Sequence, residues 1–335
     1  MKLSEFLVAP RVLLSLLDRS RTRSGYPDSA ALTHSLERAI HADALGYHRF
    51  WVAEHHAVPG IASGSPAVLL AAIGAHTRDI RLGSGGVMLP NHQPLVVAEQ
   101  FLMLEAQYPG RIDLGLGRSL GFTEPVRQAL RRSKDAPDTF ATDALELRRY
   151  LEGTAVVTAR PASPGRVPIF VLATRTGLKV AAQLGLPVVV GGPLLGIGTA
   201  GRVKALEEYR RAFQATDAYP DPYVVVSLEV MVADTTEAAR DLLIPEAYAI
   251  AESSRTGEFP PLASPDEIRG AALGDRTTRR IDSFLASALY GTAIEVKEHL
   301  NDLAERTGAD ELLASTSTFD RAALEHSDQL LREVI

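Results

Sequence analysis

A (β/α)8 barrel is the fold predicted for this 335-residue chain, on three observations. Apolar, β-branched segments alternate with amphipathic helical patterns, eight of each. The alternation runs the whole length with no linker that would divide it into two halves. The length also suits one large barrel, taken here as a single domain over 1–335. A doubly wound sheet is the other arrangement with such alternation, and the unbroken run favours the barrel.

The elements follow in order. The first strand is expected at 12–17 (VLLSLL). Asp28 or Ser29 can cap a helix running to about Leu45, with Gly46 as its stop. A second strand at 48–53 (HRFWVA) leads into a loop with Pro59, Gly60 and Gly64. Ser65-Pro66 opens a helix with proline in its first turn. The third strand is 80–89, followed by a helix over 94–107 and a turn at Tyr108-Pro109-Gly110. The fourth strand is 111–116, with a helix over 138–152. Strands at 167–172 and 187–190 precede helices at 176–184 and 200–215. The most β-branched run, 223–232, is the seventh strand, and 311–315 is the eighth. Helices over 293–306 and 320–334 complete the alternation. The stretch 244–281 fits no barrel unit and reads as an irregular insertion or lid.

Composition narrows the function. The chain is 46% hydrophobic and 23% charged, which supports a sizeable core and excludes whole-chain disorder. A net charge of −6 offers no basic field for nucleic acid. Cysteine is absent, so disulfides, thiolate catalysis and cysteine-bound metals are excluded. Residues 1–23 lack a signal-peptide plan, and no run is apolar enough for a membrane span. The expectation is a soluble, cytoplasmic protein without membrane or nucleic-acid partners.

Barrel enzymes carry their sites at the carboxyl ends of the strands. Four polar clusters fall there: Glu54-His55-His56, then Met88 to His92, Gly115 to Arg118, and Thr174-Arg175-Thr176-Gly177. Adjacent residues of a strand face opposite ways, so His55 and His56 would not easily share an ion. No histidine lies between His92 and His299 either, and no metal site is expected. His56 is expected to satisfy buried polar groups. Arg118 and a threonine-rich turn opening a helix form an anion site suited to phosphate. Gly115-x-Gly117-x-x-x-Gly121 misses the dinucleotide spacing by one residue. Gly83-Ser84-Gly85-Gly86 inside a buried strand suggests a bulge, a strained peptide or a flat ligand against the backbone, with close helix packing as the structural alternative.

These clusters together resemble the bacterial luciferase-like flavin monooxygenases, a superfamily of barrels that use FMN or F420. The match is carried by residues 46–56, by 83–94, by 109–118, by 181–187 and by 303–312. Within the superfamily the chain looks most like the MsnO8-like subgroup from antibiotic biosynthesis. The resemblance implies an FMN-dependent, two-component monooxygenase. It would use reduced FMN from a separate NAD(P)H:flavin reductase, together with O2, to oxygenate a small organic substrate, as a homodimer. F420-dependent oxidation on the same barrel is the alternative, followed by a metal-dependent hydrolase and a non-catalytic flavin-binding protein.

Residue by residue, the resemblance places His55 at the reactive edge of the flavin in a proton-handling role, with Glu54 beside it. It places a cis peptide at Gly85-Gly86 beneath the flavin ring, and Val87 and Met88 along it. Arg118 and Thr174 match phosphate-binding positions, and Gly177 falls where relatives often carry a second hydroxyl. Relatives commonly read Gly-Ser-Ser where this chain has Ala173-Thr174-Arg175, so Arg175 either adds a phosphate contact or crowds one. The segment Val190-Gly191-Gly192-Pro193 replaces bulkier residues and widens the pocket.

Overall fold

The computed structural model describes residues 12–121, 123–162, 165–195 and 201–334. Ten strands are present among them: β1 (Leu13–Asp18), β2 (Arg49–Val52), β3 (Arg81–Met88), β4 (Ile112–Gly117), β5 (Ile169–Ala173), β6 (Val188–Gly191), β7 (Val224–Leu228), β8 (Val230–Val232), β9 (Leu289–Gly291) and β10 (Glu311–Ala314). Eight of them close into a parallel barrel in the order β1-β10-β7-β6-β5-β4-β3-β2. The helices are α1 (Asp28–Ala44), α2 (Pro66–Gly74), α3 (Pro94–Gln107), α4 (Glu124–Ala129), α5 (Phe140–Leu151), α6 (Arg175–Leu184), α7 (Lys204–Ala212), α8 (Thr236–Thr256), α9 (Pro265–Gly270), α10 (Asp275–Leu285), α11 (Ala293–Thr307) and α12 (Arg321–Val334). The predicted barrel is the observed one, and α3 has the predicted bounds.

Two expectations are corrected. The run 223–232 is not one strand. It leaves the barrel at Glu229, and Val230–Val232 pairs with Leu289–Gly291 in a separate two-stranded sheet. β-branched composition marks both pieces as buried strands but carries no sign of a change of partner. The stretch 244–281 is largely helical, not irregular. Helix α8 runs through Pro245, burying Leu243, Glu246, Ala247 and Ala251. That burial outweighs the loss of one backbone hydrogen bond at the proline. Helix α9 begins with a capping box between Ser264 and Glu267. Helix α4 was not foreseen. Residue Ala200, the expected start of one helix, lies outside the described residues, and α7 begins at Lys204.

The barrel interior is layered by the two-residue period of its strands. At the amino-terminal end the inward side chains are charged. Arg49 bonds Asp113 (2.5 Å) and Glu311 (3.0 Å), Arg81 also bonds Asp113 (2.5 Å), and Tyr223 donates to Glu311 (2.8 Å). Above them Leu17, Trp51, Ala53, Phe170, Val189, Val225 and Leu313 form an apolar core distinct from the one shared by strands and helices. Trp51 and Phe170 meet edge to face at 5.1 Å.

Glycines let this layer close. A Cβ on Gly83 would lie 2.4 Å from Trp51 Nε1, and one on Gly85 would lie 2.4 Å from Leu17. The close neighbours are therefore residues inside the barrel, not a helix. The bond Gly85-Gly86 is cis, and the β3–β4 register shifts between Ser84 and Val87.

One step further along the strands, the inward positions are Arg19, His55, Gly85, Gly117, Thr174, Gly191, Ser227 and Ser315. Three of these are glycine, on β3, β4 and β6. The carboxyl end of the barrel thus carries no side chain at these positions on β3, β4 and β6, and polar side chains at those of β1, β2, β5, β7 and β10.

Candidate active site

Three groups of side chains occupy that end. The first stands after β2. Glu54 is buried, and its Oε1 accepts from His56 Nε2 (2.6 Å) and His92 Nε2 (2.7 Å). Its Oε2 accepts from the Met88 backbone N–H at 3.0 Å. One carboxylate therefore ties the strand end of β2 to the peptide platform of β3. Burial alone would raise the Glu54 pKa, but the hydrogen bonds from His56 and His92 prevail and hold it at about 2. The expectation that His56 satisfies a buried polar group is met. His92 was not recognised as its companion, because only the short turn Leu89–Asn91 brings it back to Glu54.

Glu54, His56 and His92 also have ligand atoms within 4.8 Å of one another, a donor set that suits a metal. Both imidazoles, however, sit at hydrogen-bond distance from the same oxygen, closer than two ligands of one ion pack. The arrangement is a closed hydrogen-bonded triad.

His55 faces the other way. Burial, and then the Arg19 guanidinium, hold its imidazole pKa down at about 4, so it is neutral at pH 7. Burial does the same to His34, at about 3. Both groups bind protons more readily unfolded than folded. Their contribution to stability is complete above pH 6.5 and is lost as pH falls toward their folded values. Each is expected to add a slope approaching about 1.4 kcal/mol per pH unit below pH 6. Urea midpoints at pH 7 and pH 5 check this; a flat profile over that interval would contradict the buried neutral states.

The second group holds the residues read from the sequence as a candidate anion site. Arg118 NH1 donates to Thr176 Oγ1 at 3.1 Å, while its NH2 pairs with Asp138 and the guanidinium lies 5.3 Å from the Phe140 ring centre. Thr174 is the N-cap of α6, extended, exposed and without a side-chain cap bond, and the first-turn N–H groups have no partner within the helix. Gly177 is buried, and a Cβ there would lie 3.2 Å from Ala173. Arg175 opens the helix, and its side chain is not among those described. Arg118, Thr174 and Thr176, distant in sequence, are thus brought to one rim. Asp138, the anionic partner of Arg118, went unnoticed because it reads only as a helix start.

Gly85, Gly86, Val87 and Met88 end β3, which lies between β2 and β4 in the barrel. A Cβ on Gly86 would lie 2.7 Å from the Gly115 carbonyl oxygen. Val87 belongs to the core shared with the helices. Met88 is buried and anchored by Glu54.

The third group was not foreseen. Arg19 NH2 donates to Glu229 Oε1 and to the Ser315 carbonyl, both at 2.8 Å. Glu246, on α8, pairs with Arg21 (2.9 Å) and Arg19 (3.3 Å), which fastens that helix to the segment after β1. Burial raises both carboxyl pKa values. Arg21 and Arg19 together bring Glu246 below its ordinary value, whereas Glu229, beside Glu246, stays above its own.

A family model described as luciferase-like monooxygenase matches residues 11–311. The chain belongs to that family. A luciferase-like monooxygenase of Escherichia coli (strain K12) is 34% identical over 337 residues, covering 96% of this chain and 97% of its own. The crystal structure of apo-MsnO8 superposes with a TM-score of 0.86 at 33% identity, covering 97% of this chain and 98% of that one. Below 25% identity the same fold recurs in the oxygenating constituent of 3,6-diketocamphane monooxygenase from Pseudomonas putida in complex with FMN (TM-score 0.72, 19%, covering 96% and 97%). It recurs also in an F420-dependent secondary alcohol dehydrogenase in complex with an F420-acetone adduct (TM-score 0.69, 16%, covering 97% and 98%). This luciferase-like monooxygenase is therefore a flavin-dependent oxidoreductase by membership. No helix among its described residues is long and apolar enough to cross a membrane.

Proposed function

We propose that the protein is the oxygenating component of a two-component monooxygenase. On this reading a separate NAD(P)H:flavin reductase supplies reduced FMN, and a small organic substrate is oxygenated with O2 by a cytoplasmic homodimer. The observation that carries the proposal is the convergence of Arg118, Thr174 and Thr176 at the uncapped start of α6.

The donor set fits a phosphate monoester. It offers a guanidinium, two hydroxyls and unpaired backbone N–H groups to a dianion. Gly117 leaves its backbone open to a flat ring, its Cβ position having no neighbour closer than 3.6 Å, whereas Gly85 and Gly86 are packed against Leu17 and the Gly115 carbonyl. When bound, reduced FMN supplies the electrons that activate O2. The chain's own residues do the rest. The α6 turn and Arg118 hold the phosphate, and Glu54 fixes the Met88 amide and with it the platform. His55, neutral at pH 7, accepts or holds a proton, and α8 keeps water from the mouth.

Reconstitution tests this reading. Substrate-dependent oxygen uptake with reduced FMN is expected; turnover with F420 alone would assign the barrel to the other cofactor. Arg118→Ala is expected to weaken FMN binding by about 1.5–3 kcal/mol through loss of a charge-assisted contact. Fluorescence titration of FMN measures it, and an unchanged affinity would reject the phosphate assignment.

A further inference from the structure

Glu229 stands at the mouth with no part in holding a flavin. Val225 faces the barrel interior, and the two-residue period carries that face through Ser227 to Glu229. The inward residues of two neighbouring strands grip one of its oxygens. Arg19 NH2 donates to Oε1 at 2.8 Å, and Ser315 Oγ donates to the same atom at 3.1 Å. The other oxygen, Oε2, is buried and has no hydrogen-bond partner. A buried acceptor left unmade costs about 1–3 kcal/mol, more when charged. Yet the Glu229 and Arg19 side chains keep accessible edges of 14% and 18%, while Glu246 behind them has none. Arg19 also lies near enough to His55 to affect its charge.

We infer that Glu229 is the substrate anchor: its free Oε2 accepts a hydrogen bond from a neutral hydroxyl or amide N–H of the organic substrate. This rests on the reading above, in which the mouth is the oxygenation site. Arg19 and Ser315 orient the carboxylate. Neutrality of the donor follows from charge balance: Arg19 and Arg21 are matched by Glu229 and Glu246, so an entering ion would find no counter-charge.

Calorimetric titration of the full chain with 4-methylphenol and with 4-methylanisole, which masks the same donor as a methyl ether, tests the inference. The phenol is expected to bind at least about tenfold more tightly, the scale of a hydrogen bond to a charged group. In Glu229→Gln, Arg19 keeps the amide oxygen at the Oε1 position, so an NH2 replaces the acceptor at Oε2. The preference should fall to about one. Equal binding of the two probes to the unaltered chain overturns the inference, even where the variant fails to fold. So does a preference that survives in a folded Glu229→Gln. FMN is titrated separately into the unaltered chain. If it does not bind, the flavin reading fails on its own, while the probe comparison still reports on Glu229.

Discussion

Arg49→Ala is expected to destabilise the protein by about 3–5 kcal/mol, the cost of leaving buried charges uncompensated. The Arg49 side chain is 9% exposed, and those of Asp113 and Glu311 are fully buried. Its guanidinium is the link between these two carboxylates at the closed end of the barrel, and they hold its pKa above the ordinary value against burial. Removing it leaves Asp113 with Arg81 alone, and Glu311 with the hydroxyls of Ser15 and Tyr223. The guanidinium also stacks 5.0 Å from the Phe170 ring centre, so apolar contact is lost as well. Urea unfolding at pH 7 measures the change in midpoint. A loss below about 1 kcal/mol would show that the carboxylates are satisfied without it.

His55→Ala is the second large effect, and it falls on chemistry. A positioned proton-handling group contributes roughly 10²–10⁴-fold to rate. Substrate-dependent oxygen uptake should drop by that order, while FMN affinity changes by less than about threefold, since the proposed phosphate contacts, Arg118, Thr174 and Thr176, do not include His55. Because the imidazole pKa is about 4, the residue acts in its neutral form through neutral pH. The acid limb of the rate profile should accordingly lie below that of a free histidine. Parallel losses of binding and turnover would assign His55 a structural role instead.

The pairing of Arg118 with Thr176 shows how much of the candidate site was legible beforehand. Arg118 ends one strand, and Thr174 to Gly177 join another to its helix. Knowing that these are barrel strands suffices to put them on one rim. The triad of Glu54, His56 and His92 was only half legible, because adjacency on the strand displayed Glu54 and His56 while a turn 38 residues away delivered His92 to the same oxygen. The Arg19–Glu229–Glu246 group was not legible at all. Arg19 and Glu229 are 210 residues apart, and neither belongs to a recognisable motif.

Local periodicity and turn chemistry were enough to specify eight strands, most of the helices around them and the end of the barrel at which chemistry belongs. Those features depend on neighbours a few residues apart, which a linear pattern records. Folding alone settled which strand Val230–Val232 would join, that 244–281 would coil into helices, and which buried charge would meet which. Such pairings depend on closure of the barrel, which brings Ser15 to Glu311 across 296 residues. Their energy comes from shared desolvation, and no single segment carries a trace of that.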